Sequence, residues 1–159
     1  MPPAQTSKTF PALAAPVLSK GGVNMKAYPA PTFTEAAIDQ VATIAADYKA
    51  RGWRFVQLCA STLEDSVELL YTYQSMDHDA GLEGVRVNVP DGMSVPSITA
   101  SYPAAFVFEN ETHDLFGVTV DGINIDFNGE FYTVNVAYPM NPRAAAGAQT
   151  TTEEEASNE

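Results

Sequence analysis

Hydrophobic and polar positions alternate cleanly through the middle of the chain. Val67, Leu69, Tyr71 and Tyr73 are interleaved with Ser66, Glu68, Thr72 and Gln74, and Val85, Val87 and Val89 repeat the alternation after a looser Met76–Gly84 connection. Successive side chains of a strand point to opposite faces, so a period of two marks strands with one buried face. Trp53–Cys59 is an aromatic and apolar run of strand length, and Ser61–Asp65 turns the chain into the next strand. Ahead of these, Ile38, Val41, Ile44, Ala45 and Tyr48 recur at helical spacing. Thr32-Phe33-Thr34-Glu35 predicts a capping box at the start of that helix, and Arg51-Gly52 predicts its end. Together these patterns predict an antiparallel meander covered by one helix.

Pro90-Asp91-Gly92 interrupts the sheet, and Pro96 keeps the next segment extended. A second helix is predicted from Pro103, where proline's missing N–H costs nothing, to Phe116, with Gly117 as its left-handed cap. Beyond it, Val118–Val120, Ile123–Phe127 and Phe131–Val136 are separated by Asp121-Gly122 and Asn128-Gly129, the dipeptides of type I′ turns, which predicts two short hairpins. The expected fold is α+β: an antiparallel or mixed sheet with an N-terminal helix, a second helix, then hairpins. Residues 1–31 hold six of the eleven prolines plus Gly21-Gly22 and show no period, so they are expected to form a flexible arm. The domain is expected over residues 32–140 and a disordered acidic tail over 141–159, the sequence being loose from Pro142 onward.

Charge narrows the partners. Of a formal net charge of −12 over 159 residues, residues 1–31 contribute three lysines and no acid, while residues 32–147 carry sixteen acids against five bases. Phosphate backbones and anionic bilayers are bound through clustered Lys and Arg, so nucleic acid is not an expected partner. No run approaches the ~20 apolar residues that span a bilayer, so no direct membrane span is expected. Phe10–Leu18 is broken by Pro11 and Pro16, a poor secretion signal. The single cysteine, Cys59, lies in an apolar strand pattern and is expected to be a buried thiol; one cysteine cannot ligate an iron–sulfur cluster by itself.

The chemistry-bearing candidates concentrate in Phe106–Gly117, F-V-F-E-N-E-T-H-D-L-F-G. Glu109, Glu111 and Asp114 crowd the end of the predicted helix, where the macrodipole disfavours acids, so something other than helix stability must explain them. Glu109 and His113 are four apart and share a helix face, which with Asp114 suggests a metal site; the same spacing also makes an ordinary surface pair. Glu109 and Glu111 are two apart and point away from each other, the wrong arrangement for an acid–base dyad. No nucleophile elbow or phosphate-binding glycine fingerprint is present in the sequence. An acidic, aromatic-flanked helix end suits docking onto arginines of a partner; a structural cap with solvated acids is the competing reading.

The stretch Val95–Gly117, V-P-S-I-T-A-S-Y-P-A-A-F-V-F-E-N-E-T-H-D-L-F-G, resembles the signature of the 30 kDa subunit family of respiratory NADH dehydrogenase. That signature runs V-x-S, an aromatic-Pro-x-Ala step, then E-R-E-x-x-D-L-F-G-I. Glu109, Glu111, Asp114, Leu115, Phe116 and Gly117 match it, and Leu69–Tyr73 resembles the family's second strand. Asn110 stands where the family has arginine, and the His-Pro-x-Leu-x-Arg stretch that usually follows is replaced by Asp121–Phe131. The chain's brevity resembles the short members found in energy-converting membrane-bound nickel–iron (NiFe) hydrogenases.

The resemblance implies a non-catalytic hydrophilic subunit of the peripheral arm of a complex-I-like oxidoreductase, a hydrogenase or an NADH:quinone oxidoreductase. It implies no cofactor in this chain, iron–sulfur clusters and a NiFe centre in partner subunits, and docking on the large subunit beside its iron–sulfur subunits. It also implies a place on the cytoplasmic, inner face of the cell membrane. Glu109, Glu111, Asp114 and Phe116 are the expected docking residues, with the acids partly exposed, since lone charges are rarely buried unpaired. Reversing Glu109 and Glu111 would then weaken assembly without unfolding the domain. A small metal-dependent enzyme using Glu109, His113 and Asp114, or a free-standing adaptor of the same fold, remains as an alternative.

Overall fold

The computed structural model describes residues 30–77 and 81–146. The meander is present: β2 (Arg54–Thr62), β3 (Ser66–Gln74) and β4 (Leu82–Pro90) pair antiparallel in sequence order. A fourth strand, β1 (Thr32–Glu35), joins the far side of β4 in parallel, giving the mixed order β1-β4-β3-β2. The predicted capping box is therefore a strand. Its Thr-Phe-Thr residues suit a pleated surface, and β4 offers an unpaired edge that a local pattern cannot reveal. The helix starts later, with a 3-10 turn at Ile38–Gln40 followed by α1 (Val41–Ala50). There Gln40 reaches back to accept the Ala37 amide at 3.2 Å, one half of a capping box.

One sheet face carries Val67, Leu69, Tyr71 and Tyr73 of β3, Val85, Val87 and Val89 of β4, and Leu58 of β2, all buried. Val41, Ala45 and Tyr48 of α1 pack within the same core, with the Tyr48 ring stacked on Tyr73 at 4.1 Å. Phe55, Tyr73 and Tyr102 form an adjoining aromatic cluster. On the opposite face Arg86 lies between Glu68, at 2.8 Å, and Glu35, at 3.2 Å, bridging three strands. Cys59 is exposed on that face, not buried. The cause is a register shift between Phe55 and Gln57 that resets the alternation, so Leu58 and Ala60 turn inward and Cys59 outward.

The second helix forms where the sequence predicts it, a 3-10 turn at Pro103–Ala105 and then α2 (Phe106–Phe116), ended by Gly117 at φ 73°. The hairpins do not form. The short strands β5 (Ser94–Pro96) and β6 (Thr119–Asp121) pair with each other in parallel, and residues 122–141 follow α2 as an irregular ribbon. The Asn-Gly turn itself is real: Asn128 at φ 52° and Gly129 at φ 82° give the left-handed pair of a type I′ turn, and the Glu130 amide bonds the Phe127 carbonyl at 3.0 Å.

Order also extends past residue 140. Residues 142–146 form a helical turn in which Arg143 grips Asp91 with two bonds of 3.0 Å and also donates to the Leu63 and Ser66 carbonyls. The hydrogen bond from Arg143 holds the Asp91 carboxyl below its ordinary pKa. The N-terminal arm up to residue 29, His78 and the tail from residue 147 lie outside the described residues.

Gly84 makes the closest approach in the sheet. A Cβ there would fall 2.1 Å from the Tyr71 carbonyl oxygen and 2.8 Å from the Phe33 ring. Gly84→Ala is expected to cost about 1–3 kcal/mol of stability, as overpacking does, read as a lowered denaturant midpoint. An unchanged midpoint would show that β1 and β3 are free to move apart there.

Candidate functional site: an acidic clasp on the second helix

Helix α2 is short and carries polar groups on its inner side: Glu109, Asn110, Thr112 and Asp114 are all buried. Because the helix proper begins at Phe106, Glu109 falls in its first turn, where a negative charge is favoured, and not at its end. The expectation of exposed acids fails for Glu109 and Asp114, and holds only for the half-buried Glu111. Each of these groups holds a neighbouring segment of the same chain.

Glu109 reaches toward the residues just after β5. Its Oε2 accepts from the Ser97 hydroxyl at 2.7 Å and its Oε1 from the Ile98 amide at 2.8 Å. Ser97 Oγ also accepts the Thr99 amide at 3.0 Å, and Thr99 Oγ1 accepts the Asn124 amide at 3.1 Å. The connection thus continues from α2 through the β5 exit into the ribbon. Hydrogen bonds to a charged group contribute about 1.5–3 kcal/mol each, comparable with a desolvation cost of several kcal/mol for a buried ion. Desolvation wins: burial pushes the Glu109 carboxyl above its ordinary pKa, with the Ser97 and Ile98 bonds pulling it back. Burial first, and then the Glu109 charge, hold the Tyr71 phenol well above its ordinary value.

Asn110, the residue that departs from the family's arginine, clasps the ribbon directly. Its Nδ2 donates to the Ile125 carbonyl at 2.9 Å and to the Phe106 carbonyl at 2.7 Å, and its Oδ1 accepts the Phe127 amide at 2.9 Å. The two departures noted in the sequence therefore meet: the unusual side chain holds the unusual stretch. Further along the helix, Asp114 Oδ2 accepts the Tyr132 amide at 2.7 Å, and the Tyr132 hydroxyl donates to Glu111 Oε2 at 3.1 Å. That bond to Glu111 raises the pKa of the Tyr132 phenol. At the C-terminus the Leu115 carbonyl takes the Met140 amide at 2.9 Å, and the Phe116 carbonyl takes Asn141 Nδ2 at 2.9 Å. Gly117 is required twice, once for its left-handed backbone and once because a Cβ would sit 3.0 Å from the Tyr138 ring.

The metal constellation is not assembled in this geometry. Glu109 bonds Ser97 and Ile98, whereas His113 Nδ1 lies 3.1 Å from Asp114 Oδ1, and the other Asp114 oxygen is taken by Tyr132. Among the described residues no group of three His, Cys, Asp or Glu side chains is placed to hold an ion. Sequence reasoning missed Ser97, Asn110, Tyr132 and Asn141 as members of the clasp. Ser97 was visible in the V-x-S signature and Asn110 as a departure; Tyr132 and Asn141 carry no sequence signal.

The fold and clasp define a class of α+β domain in which a motif-bearing helix fastens a long irregular ribbon beside a mixed four-stranded sheet. The chain belongs to the family of the respiratory-chain NADH dehydrogenase 30 kDa subunit, which residues 32–127 match. It is 32% identical over 89 residues to an NADH-quinone oxidoreductase subunit from Methylobacterium sp. (strain 4-46), a match covering 54% of this chain and 41% of that protein. The chain thus spans about two fifths of the length of the curated relative it matches. A chain from the structure of the membrane-bound sulfane sulfur reductase, an archaeal respiratory membrane complex, shares the fold with a TM-score of 0.61 at 20% identity, over 74% of this chain and 72% of that one. Among the described residues no helix is long and apolar enough to cross a membrane.

The clasp makes two expectations. A folded-state pKa raised above the unfolded value means that the folded state binds the proton more tightly. Glu109 therefore contributes stability that is fully present below the ordinary carboxylate pKa and lost as pH rises through its raised value. Relative to Glu109→Gln, the native chain should lose stability across that window, measured as denaturant midpoints at successive pH; a pH-independent difference would mean that Glu109 is not titrating in the buried site. Second, Asn110→Ala should speed hydrogen exchange at the Phe127 amide and Asp114→Ala at the Tyr132 amide, each with little effect on the other. Equal acceleration at both amides would show that the ribbon opens as one piece.

Proposed function

We propose that this chain is a non-catalytic accessory subunit of a complex-I-like membrane-bound oxidoreductase, carried on its peripheral arm and docked on the large subunit. The observation that carries this reading is the family match over residues 32–127, which embraces the whole four-stranded sheet and α2. The clasp supports an architectural role for the motif: Glu109, Asn110 and Asp114 bind segments of their own chain, and so shape a surface instead of presenting reactive groups. Redox chemistry belongs, on this reading, to iron–sulfur and other metal centres in the partner subunits, and the chain sits at the inner, cytoplasmic face of the membrane.

The related proteins span more than one parent complex. The sequence relative is named for quinone reduction and the structural neighbour belongs to a sulfane sulfur reductase. The proposed role is the same whether the parent is a quinone reductase, a hydrogenase or a sulfur reductase. Of the four residues expected from the sequence to dock, Glu109 and Asp114 belong to the clasp; Glu111 and Phe116 are less deeply buried.

Tagged native chain drawn from gently solubilised membranes should bring down a large subunit together with iron–sulfur subunits, identified by mass. Recovery of the chain alone would overturn the proposal. Because Glu109 is buried, Glu109→Lys with Glu111→Lys should unfold the domain as well as abolish assembly, whereas Glu111→Lys alone should leave it folded; circular dichroism separates the two.

A further inference from the structure

The ribbon that the clasp holds is unusual on its outer side. Ile125, Phe127, Tyr132, Val134, Val136 and Met140 are 36–56% exposed, and they make up most of the large exposed hydrophobics among the described residues. Single exposed apolar side chains are ordinary, but a run of them on one segment marks an interaction site. The ribbon has no regular pairing that would require apolar side chains, and its inner contacts to α2 are largely polar. Phe127 and Tyr132 make edge contacts with Phe131 inside the ribbon, yet all six side chains keep a third or more of their surface exposed.

Charge indicates the occupant. Asp126 and Glu130 are exposed along the same ribbon, Glu111 lies against Tyr132, and no Lys or Arg occurs from residue 107 to 142. Arg143, the first cation after it, is committed to Asp91 and to the Leu63 and Ser66 carbonyls. A second copy of this chain would bring acids against acids, and an anionic bilayer would repel them. Resting on the subunit reading above, we infer that residues 125–140 are the docking face, and that they seat on an apolar patch of a neighbouring subunit edged by arginine or lysine side chains. Apolar contacts then supply most of the affinity, and the acidic edge supplies register and encounter rate. Most of this face, residues 128–140, lies beyond the stretch that matches the family, so it is suited to recognising the particular partner.

The test uses the full chain in its native complex. p-Benzoylphenylalanine at Val136, with Thr43 on the exposed side of α1 as control, is photolysed in solubilised membranes and the joined peptides are identified by mass. Val136 should join to another subunit at an apolar segment containing arginine or lysine, and Thr43 should not. Val134→Glu with Val136→Glu should lower the retained complex about tenfold, and Asp126→Lys with Glu130→Lys should lower it and flatten its salt dependence. All four positions are exposed, and the hydrogen bond from the Asn128 amide to Asp126 Oδ1 lies in a turn outside the helices and strands, so the circular dichroism spectrum should not change. Cross-linking to a second copy, or to residues 1–29 of the same chain with their three lysines, would overturn the assignment. A complex that survives both pairs of changes would place docking elsewhere and overturn it while leaving the subunit reading intact. A native chain that brings down no other subunit would overturn both.

Discussion

The Glu109 carboxylate, closed off from water, binds the Ser97 hydroxyl and the Ile98 amide, and so fixes where the chain leaves β5 relative to α2. That one relation sets several others. It aligns β5 so that β6, leaving the far end of α2, can pair with it in parallel, and it holds Thr99 where its hydroxyl takes the first part of the ribbon. Burying a charge is an expensive way to hold two segments together, and the raised pKa shows the cost is not fully recovered. What the arrangement provides is directionality. Apolar packing alone would tolerate a helix rotated or shifted by a few degrees, whereas two short bonds to one carboxylate would not.

The same logic runs along the helix. Asn110, Asp114 and the carbonyls of Leu115 and Phe116 take successive parts of the ribbon in the order in which they occur. The side chains that made this segment look like a reactive site, Glu109 and Asp114, are engaged as fasteners of their own chain. A mixed sheet with a tyrosine-rich face supplies the platform beneath, and the Tyr48–Tyr73 stack secures α1 to it. The bonding pattern gives this segment a fixed shape, held by the chain itself.

Much of this was legible in the sequence, and the failures have physical causes. β3 and β4 were readable because both have one buried face, and α2 because Pro103 and Gly117 mark its ends with backbone requirements that other residues meet poorly. β1 was misread because Thr-x-x-Glu satisfies a helix cap as well as a strand, and the deciding edge of β4 lies far away in sequence. Cys59 was placed on the wrong face by a single bulge, which no alternation count detects. At the hairpins the turn chemistry was right at Asn128-Gly129 and the pairing wrong, because the flanking residues found partners on α2 instead of on each other. The burial of Glu109 and Asp114 could not be read at all: a charged side chain looks solvated until its donors, scattered over Ser97, Ile98 and Tyr132, are brought together.

The anchors of the ribbon are unevenly spaced. From Asn110 to Phe116 the helix rises roughly 9 Å, yet the ribbon between their partners runs from Ile125 to Asn141, with residues 133–137 suspended between the Tyr132 attachment and the Tyr138 ring, which packs against His113 and Gly117. Lengthening a loop whose ends are already fixed costs little, about 0.6 kcal/mol for each doubling. The suspended part can therefore gain, lose or exchange residues without disturbing the helix that holds it. A domain built this way can keep its motif unchanged while its contact surface drifts, and so can follow a succession of different neighbours through evolution.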